Sequence, residues 1–243
     1  MTATFGRIKI PKSYDVLAAH LREKILSGDV AAGSHLPSER SLVGQTGLSR
    51  GSIREALRKL EVEGLVKTRP GRLGGNIATL PGQEAVSHLL GLFIRGRRIQ
   101  FRSLLETQLA VEPTLASLAA VNRTDDELRV LEDITADAAA ALSDRPRFLT
   151  ENVRWHSAVA AASHNELLAA FMLSISKAMH DATAVENFAT LAIRQQSLAD
   201  HRKILRAIKA GDGDAAFRRM QRHIRAYIAQ VMAKAPAEIT LST

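Results

Sequence analysis

Apolar side chains recur at helical spacing through most of this chain, and a single short stretch near residue 70 interrupts them. Val16, Leu17, His20, Leu21 and Ile25 line one side of a first helix from Tyr14 to about Ser27, with Ser13 placed to cap it and His20 partly buried. A connector, Asp29 to Leu36, follows. Ser38 then caps a second helix with Leu42 and Val43 inward, and Gly47 breaks it. Ser49 caps a third, whose Ile53, Ala56, Leu57 and Leu60 form an inward stripe. Leu65–Arg69 and Gly75–Thr79 read as short strands joined by a Pro-Gly turn. From Gln83 onward the pattern predicts seven helices, at 83–95, 98–122, 124–142, 146–163, 165–189, 191–210 and 213–234, and no strand. Thr124 with Asp125, Asp126 and Glu127 suits a helix start, Asn165 caps the fifth of these helices, and Gly211-Asp212 separates the last two.

The fold class is therefore mostly α: an N-terminal winged helix-turn-helix followed by an antiparallel helical bundle, since short connections set successive helices antiparallel. Residues 1–80 form the first domain, beginning with a mobile arm at 1–12. Residues 81–95 are a linker and first connecting helix, with the hinge at Leu80-Pro81-Gly82. Residues 96–234 form the bundle, and 235–243 a tail.

Charge sharpens this division. The net charge is +8, and residues 1–80 hold 13 of the 33 Lys and Arg but only 7 of the 25 Asp and Glu. The excess sits on the winged unit, as a polyanion partner requires. With no cysteine, disulfides and thiolate metal sites are excluded, which fits a reducing cytoplasm. The start lacks a signal-peptide core, and no apolar run approaches the roughly 20 residues that span a bilayer. The expectation is a soluble, cytoplasmic, nucleoid-associated protein without a membrane partner.

Arg50, Gly51, Ser52 and Arg54 fall at the exposed amino end of the third helix. Such an end enters a major groove, where Arg bonds guanine edges and hydroxyls and helix-terminal amides hold phosphates. Several arginines on a helix are more often a solvated face, but here they coincide with a basic, glycine-bearing hairpin in the right order. Residues 14–80 resemble the DNA-binding domain of GntR-family bacterial transcription regulators. The resemblance rests on Leu21-x3-Ile25-x2-Gly28-x4-Gly33-x2-Leu36-Pro37-Ser38-Glu39-Arg40, on Leu48-Ser49-Arg50, and on Ile53-Arg54-Glu55-Ala56-Leu57. It implies that Arg40, Arg50 and Arg54 contact DNA, that Ser49, Gly51 and Ser52 approach phosphates, and that Gly71 sits at the wing tip in the minor groove. Leu73 departs from the pattern, standing where related sequences often carry a small residue.

In the bundle, Asn152 and His156 project from one helix face, being four residues apart. Antiparallel packing brings His201 and His223 to similar heights, so imidazole nitrogens and an amide oxygen converge on a divalent cation, or else form a metal-free polar pocket. Residues 95–230 resemble the FCD ligand-binding domain of the FadR-like branch of the GntR family. The resemblance rests on Arg102-x3-Glu106 with Ala116, Ala119 and Ala120; on Asn152-x2-Trp155-His156 with Ala162-Ser163-His164-Asn165; and on His201-x6-Ala207-Ile208-x2-Gly211-Asp212 with Met220-x2-His223. It implies metal ligation by Asn152, His156, His201 and His223, with zinc first and nickel or manganese as alternatives, and an effector carboxylate on Arg102. Asn152 replaces the commoner Asp, so a divalent ion keeps its full charge and leans more on an anionic effector. His35, His88, His164 and His180 read as surface or packing residues.

The function expected is a ligand-responsive transcription regulator, a repressor that acts as a homodimer on pseudo-palindromic operator DNA and is released by a small organic acid. A metal-dependent enzyme with a DNA-binding appendage is the rival from another class, although no general base accompanies the histidines. An effector-insensitive architectural DNA binder is the third reading.

Overall fold

The structure, a computed structural model, describes residues 11–71, 74–185 and 189–232. The first ten residues of the arm, Leu73, residues 186–188 of the expected 165–189 helix and the tail lie outside the described residues. The chain divides into two compact units, Met1–Ala85 and Val86–Thr243.

The first unit runs α1 (Ser13–Leu26), α2 (Glu39–Thr46), α3 (Arg50–Val62), β1 (Val66–Arg69) and β2 (Gly75–Ala78). Ser38 Oγ accepts from the Ser41 amide and Ser49 Oγ from the Ser52 amide, so both helix starts are fixed by side chains. Gly47 closes α2 at φ 69°, a left-handed value that an L side chain resists. Ser13 is not the cap of α1. It is the first helical residue, and its hydroxyl reaches Ser52 at 3.2 Å. His20, expected to be partly buried, is exposed.

Leu17, Leu21, Ile25, Ile53, Leu57 and Leu60 close a small core over Val66 and Ala78. Arg22 grips Glu63 with two bonds, at 2.7 and 2.9 Å, tying α1 to the end of α3. The ribbon pairs antiparallel with Val66 opposite Ala78. The stretch before α2, read as a plain connector, lies along β2: Leu36 donates to Asn76 O at 2.8 Å and Ala78 to Ser34 O at 2.9 Å.

The second unit holds α4 (Gln83–Gly96, whose first residues belong to the first unit), α5 (Phe101–Asn122), α6 (Asp125–Ala140), α7 (Arg145–Ala162), α8 (Glu166–Val185), α9 (Leu191–Lys209) and α10 (Gly213–Met232). The helix expected from residue 98 begins at Phe101, because Arg98 adopts φ 49° and the Ile99 amide folds back onto Ile94 O. The main core joins α5, α6, α7, α9 and α10 through Leu131, Ile134, Trp155, Ile204, Ile208 and Ile224. Trp155 is fully buried and its Nε1–H donates to Thr135 Oγ1 at 3.1 Å, so the largest core side chain leaves no unpaired donor. Gly213 lets α10 start against α5: an added Cβ would meet Ser117 Oγ at 3.0 Å. Asn165 and Asp212 cap α8 and α10 through the Leu168 and Ala215 amides.

Thr124 and Glu127 form a reciprocal capping box at the start of α6, and Glu127 also meets His164 at 3.0 Å. Thr124→Ala is expected to cost about 1 kcal/mol, read as a lower urea midpoint for the second unit. An unchanged midpoint contradicts this assignment.

Candidate functional site

The amino end of α3 presents Arg50, Gly51 and Arg54 to solvent, with Ser52 half-buried beside them. Arg40 is likewise exposed in the first turn of α2. Among the described residues neither Arg40 nor Arg50 has an ion-pair partner, whereas Arg54 Nε donates to Glu39 at 2.9 Å. That pair is exposed and therefore weak, so it orients Arg54 without withholding it. Gly51 has no internal reason to be glycine: its φ is ordinary, and an added Cβ would meet only Ser49 Oγ, at 3.8 Å. The empty space lies outside the protein. Gly71 is exposed at the turn of the ribbon with φ 105°, and the Gly74 amide closes that turn onto its carbonyl at 2.9 Å.

In the second unit three helices deliver imidazoles to one place: α7 His156, α9 His201 and α10 His223. All three are buried, and one nitrogen of each lies within 4.8 Å of the others. His201 Nε2 and His223 Nε2 are 3.3 Å apart. Two nitrogens bound about 2.0–2.1 Å from a tetrahedral zinc would stand roughly that far from each other. His201 stacks flat on Trp155, with centroids 3.8 Å apart and planes 3° from parallel, which locks its ring. Asn152, one turn before His156 on α7, lines the adjoining chamber together with His156 and His223.

Two residues that the sequence reading passed over complete the picture. Glu112, on α5, is buried, and its Oε2 lies 2.7 Å from His156 Nδ1. The distance suits an ion pair, yet neither atom meets a partner at a hydrogen-bonding angle. Gln108 Nε2 donates to the other Glu112 oxygen at 2.8 Å, while Gln108 Oε1 is buried without a partner among the described residues. Buried polar atoms left unpaired are rare in folded proteins and call for an explanation. The second residue is Arg194, in the first turn of α9. It is buried and lines the same chamber.

Arg102 stands on the exposed face of α5. The resemblance gave it the effector's carboxylate, but it is exposed and forms an i,i+4 ion pair with Glu106 at 2.9 Å. It is not among the residues that line the chamber. The α5 side chain that does line it is Gln108, almost two turns further along the helix.

Burial, with the neighbouring His156, pushes His223 down to about 4 from an ordinary 6.5, despite Glu112 and Asp200. Burial, with the charges of His223 and His156, also holds His201 well below its ordinary value. Burial opposes the charge of Glu112, but His156, Gln108 and His223 outweigh it and keep the carboxyl below its ordinary range. His201 and His223, held neutral beside an ionised Glu112, are in the protonation states that metal ligation requires.

The sign of the pH effect follows. Between pH 6.5 and about 4 the unfolded chain takes up protons that buried His223 refuses, so stability is retained above this window and lost as the pH falls through it. The metal-free second unit is expected to melt at progressively lower temperature across that range. A flat melting temperature contradicts the burial of neutral imidazoles.

Residues 13–72 match the family described as bacterial regulatory proteins, gntR family, and residues 103–226 match the FCD domain. An Escherichia coli K12 protein whose name ties it to regulation of an L-lactate dehydrogenase operon is 32% identical over 86% of this chain and 83% of its own length. The galactonate operon transcriptional repressor of the same organism is 29% identical over 83% of this chain and 89% of its own. A solved structure of a Streptococcus agalactiae GntR protein superposes with a TM-score of 0.68, at 28% identity, over 88% of this chain and 98% of that one. With its winged reading head and its helical bundle, the chain belongs to the GntR family of bacterial DNA-binding transcription regulators, carries an FCD domain, and is not an enzyme.

Proposed function

We propose that this regulator is a repressor that grips a pseudo-palindromic operator as a homodimer and releases it when a small carboxylate enters a metal-loaded chamber. One observation carries the reading: a chain that exposes the amino end of a recognition helix also buries His156, His201 and His223 together beside a chamber. Relatives named for an L-lactate dehydrogenase operon and a galactonate operon support the choice of effector, since lactate and galactonate are both hydroxy-carboxylates.

Arg40, Arg50 and Arg54 are the DNA-contacting cations in this reading, Ser49, Gly51 and Ser52 lie against phosphates, and Gly71 enters the minor groove. One recognition helix reads only a few base pairs, so two copies are needed for useful specificity. Val86, Leu89, Leu92 and Phe93 leave an apolar stripe of α4 uncovered, while Leu90 and Ile94 on its other side pack against α5. The stripe supports pairing with a second copy.

Asn152, His156, His201 and His223 would hold the ion, zinc first by its fit to imidazole nitrogens. When bound, a divalent cation supplies a Lewis-acid seat for an anionic oxygen. The protein's own groups fix that seat: Trp155 clamps the His201 ring, Glu112 backs His156, and Asp200 stands 4.0 Å from His223 Nδ1. Glu112 alters the charge argument made from Asn152 alone, because it returns one negative charge beside the imidazoles from a different helix. Release from DNA then requires the effector to bind the DNA-free arrangement more tightly. Gln108 and Glu112 sit on α5, on which α4 packs, so a change in the chamber is passed to the helix that leads back to the reading head.

Selection of binding sites from random duplexes is expected to return two half-sites in inverted repeat, with zinc and a hydroxy-carboxylate together lowering affinity. Recovery of unrepeated sites, or indifference to both ligands, contradicts the reading. On the selected site, Arg50→Ala is expected to cost about 1–3 kcal/mol and relax base preference. Gly51→Ala is expected to weaken DNA binding while leaving the melting temperature equal or higher, since Ala is the better helix former. Undiminished DNA binding by both variants removes α3 from the interface. In zinc titrations against a competing chelator, Glu112→Gln is expected to lose on the order of 10–100-fold in affinity, and Asn152→Asp to gain. Equal affinity in all three proteins sinks the assigned roles.

A further inference from the structure

Among the described residues that line the chamber, Arg194 is the one permanently charged side chain. It is 8% exposed, and both bonds it makes go to neutral acceptors: Nε to Leu142 O at 2.8 Å and Nη1 to Ala189 O at 2.6 Å. Among the described residues no carboxylate lies within ion-pair distance of it. A guanidinium carries five N–H donors, and among the described residues only these two bonds engage them. A buried cation without a counter-ion is costly unless something anionic reaches it. The two carbonyls, one from the turn after α6 and one just before α9, hold it in a fixed pose. Ser197, three residues on and so on the same face of α9, also lines the chamber and adds a hydroxyl. The rest of the described lining is neutral amide, hydroxyl, imidazole and hydrocarbon.

We infer that Arg194 is the seat for the effector's carboxylate, with Ser197 beside it, in place of the Arg102 suggested by resemblance. The ligand class is a small organic anion whose carboxylate engages Arg194 and whose second oxygen function faces the imidazole end. This rests on the reading of the chamber as the effector site. It differs from the metal assignment, which concerns the other end of the same space. Planar, forked donors suit a carboxylate better than a point charge would, so arginine at 194 is a matter of geometry as well as of sign.

The test uses the full-length protein and four probes, L-lactate, D-galactonate, succinate and the uncharged lactamide, with calorimetric titration and thermal shift as readouts. At least one carboxylate is expected to bind wild type saturably, and lactamide to bind far more weakly than lactate. Arg194→Gln is expected to lose on the order of 10–100-fold in affinity for that carboxylate, and Arg194→Lys to recover part of it. Arg102→Gln is expected to match wild type. Because Arg194→Gln also loses two carbonyl bonds, the lactate–lactamide comparison in wild type stands without relying on any variant. The inference is overturned if no carboxylate binds saturably, if lactamide binds as well as lactate, or if Arg194→Gln retains wild-type affinity. Zinc titration of wild type separates the two ideas. Carboxylate binding that depends on Arg194 in a protein that takes up no zinc ends the metal reading and leaves this one standing.

Discussion

The second unit is organised around an expensive act of burial. Three imidazoles and a carboxylate are withdrawn from water together, and no arrangement of helices tolerates that unless the polar groups answer one another. The His201 and His223 rings meet edge to nitrogen, and Trp155 covers one face of His201. Glu112 stands against His156 with Gln108 clasping its other oxygen. The surrounding aliphatic core keeps this group dry and holds two of the imidazoles uncharged. In the proposed reading the imidazole nitrogens beside Glu112 hold a cation, and the buried guanidinium that lines the same chamber receives an anion.

The first unit works by the reverse strategy. Its core is small, and side-chain caps and surface ion pairs place charged groups where water, or DNA in its place, reaches them. Ser38 and Ser49 fix the starts of two successive helices, and Gly47 turns the chain between them. That fixes where Arg50 and Gly51 stand. The protein itself leaves position 51 open, so nothing in its own packing calls for glycine there.

Much of this was legible in the sequence, and the reasons differ from feature to feature. Caps at Ser38, Ser49, Thr124, Asn165 and Asp212 could be read because capping is local: donor and acceptor lie within three residues. The three histidines stood out as chemistry-bearing residues on helices expected to pack together. Glu112 and Arg194 did not, since a charged residue in a helix ordinarily faces water, and one partner of each, His156 and Leu142, lies 44 and 52 residues away. Arg102 is a case of the opposite kind. Its spacing to Glu106 is that of a surface ion pair, and the structure shows it to be one. The backbone pairing of residues 34–36 with β2 was also hidden, because pairing across 40 and 44 residues leaves no periodic trace.

The central claim is that His156, His201 and His223 form one metal seat that governs the regulator. X-ray absorption at the zinc edge of the full-length protein, loaded with one equivalent of zinc, tests it most directly. The account predicts a single site with three imidazole nitrogens and lighter oxygen donors, lost when His201 is replaced. A spectrum dominated by oxygen donors, or one unchanged by that replacement, would contradict it.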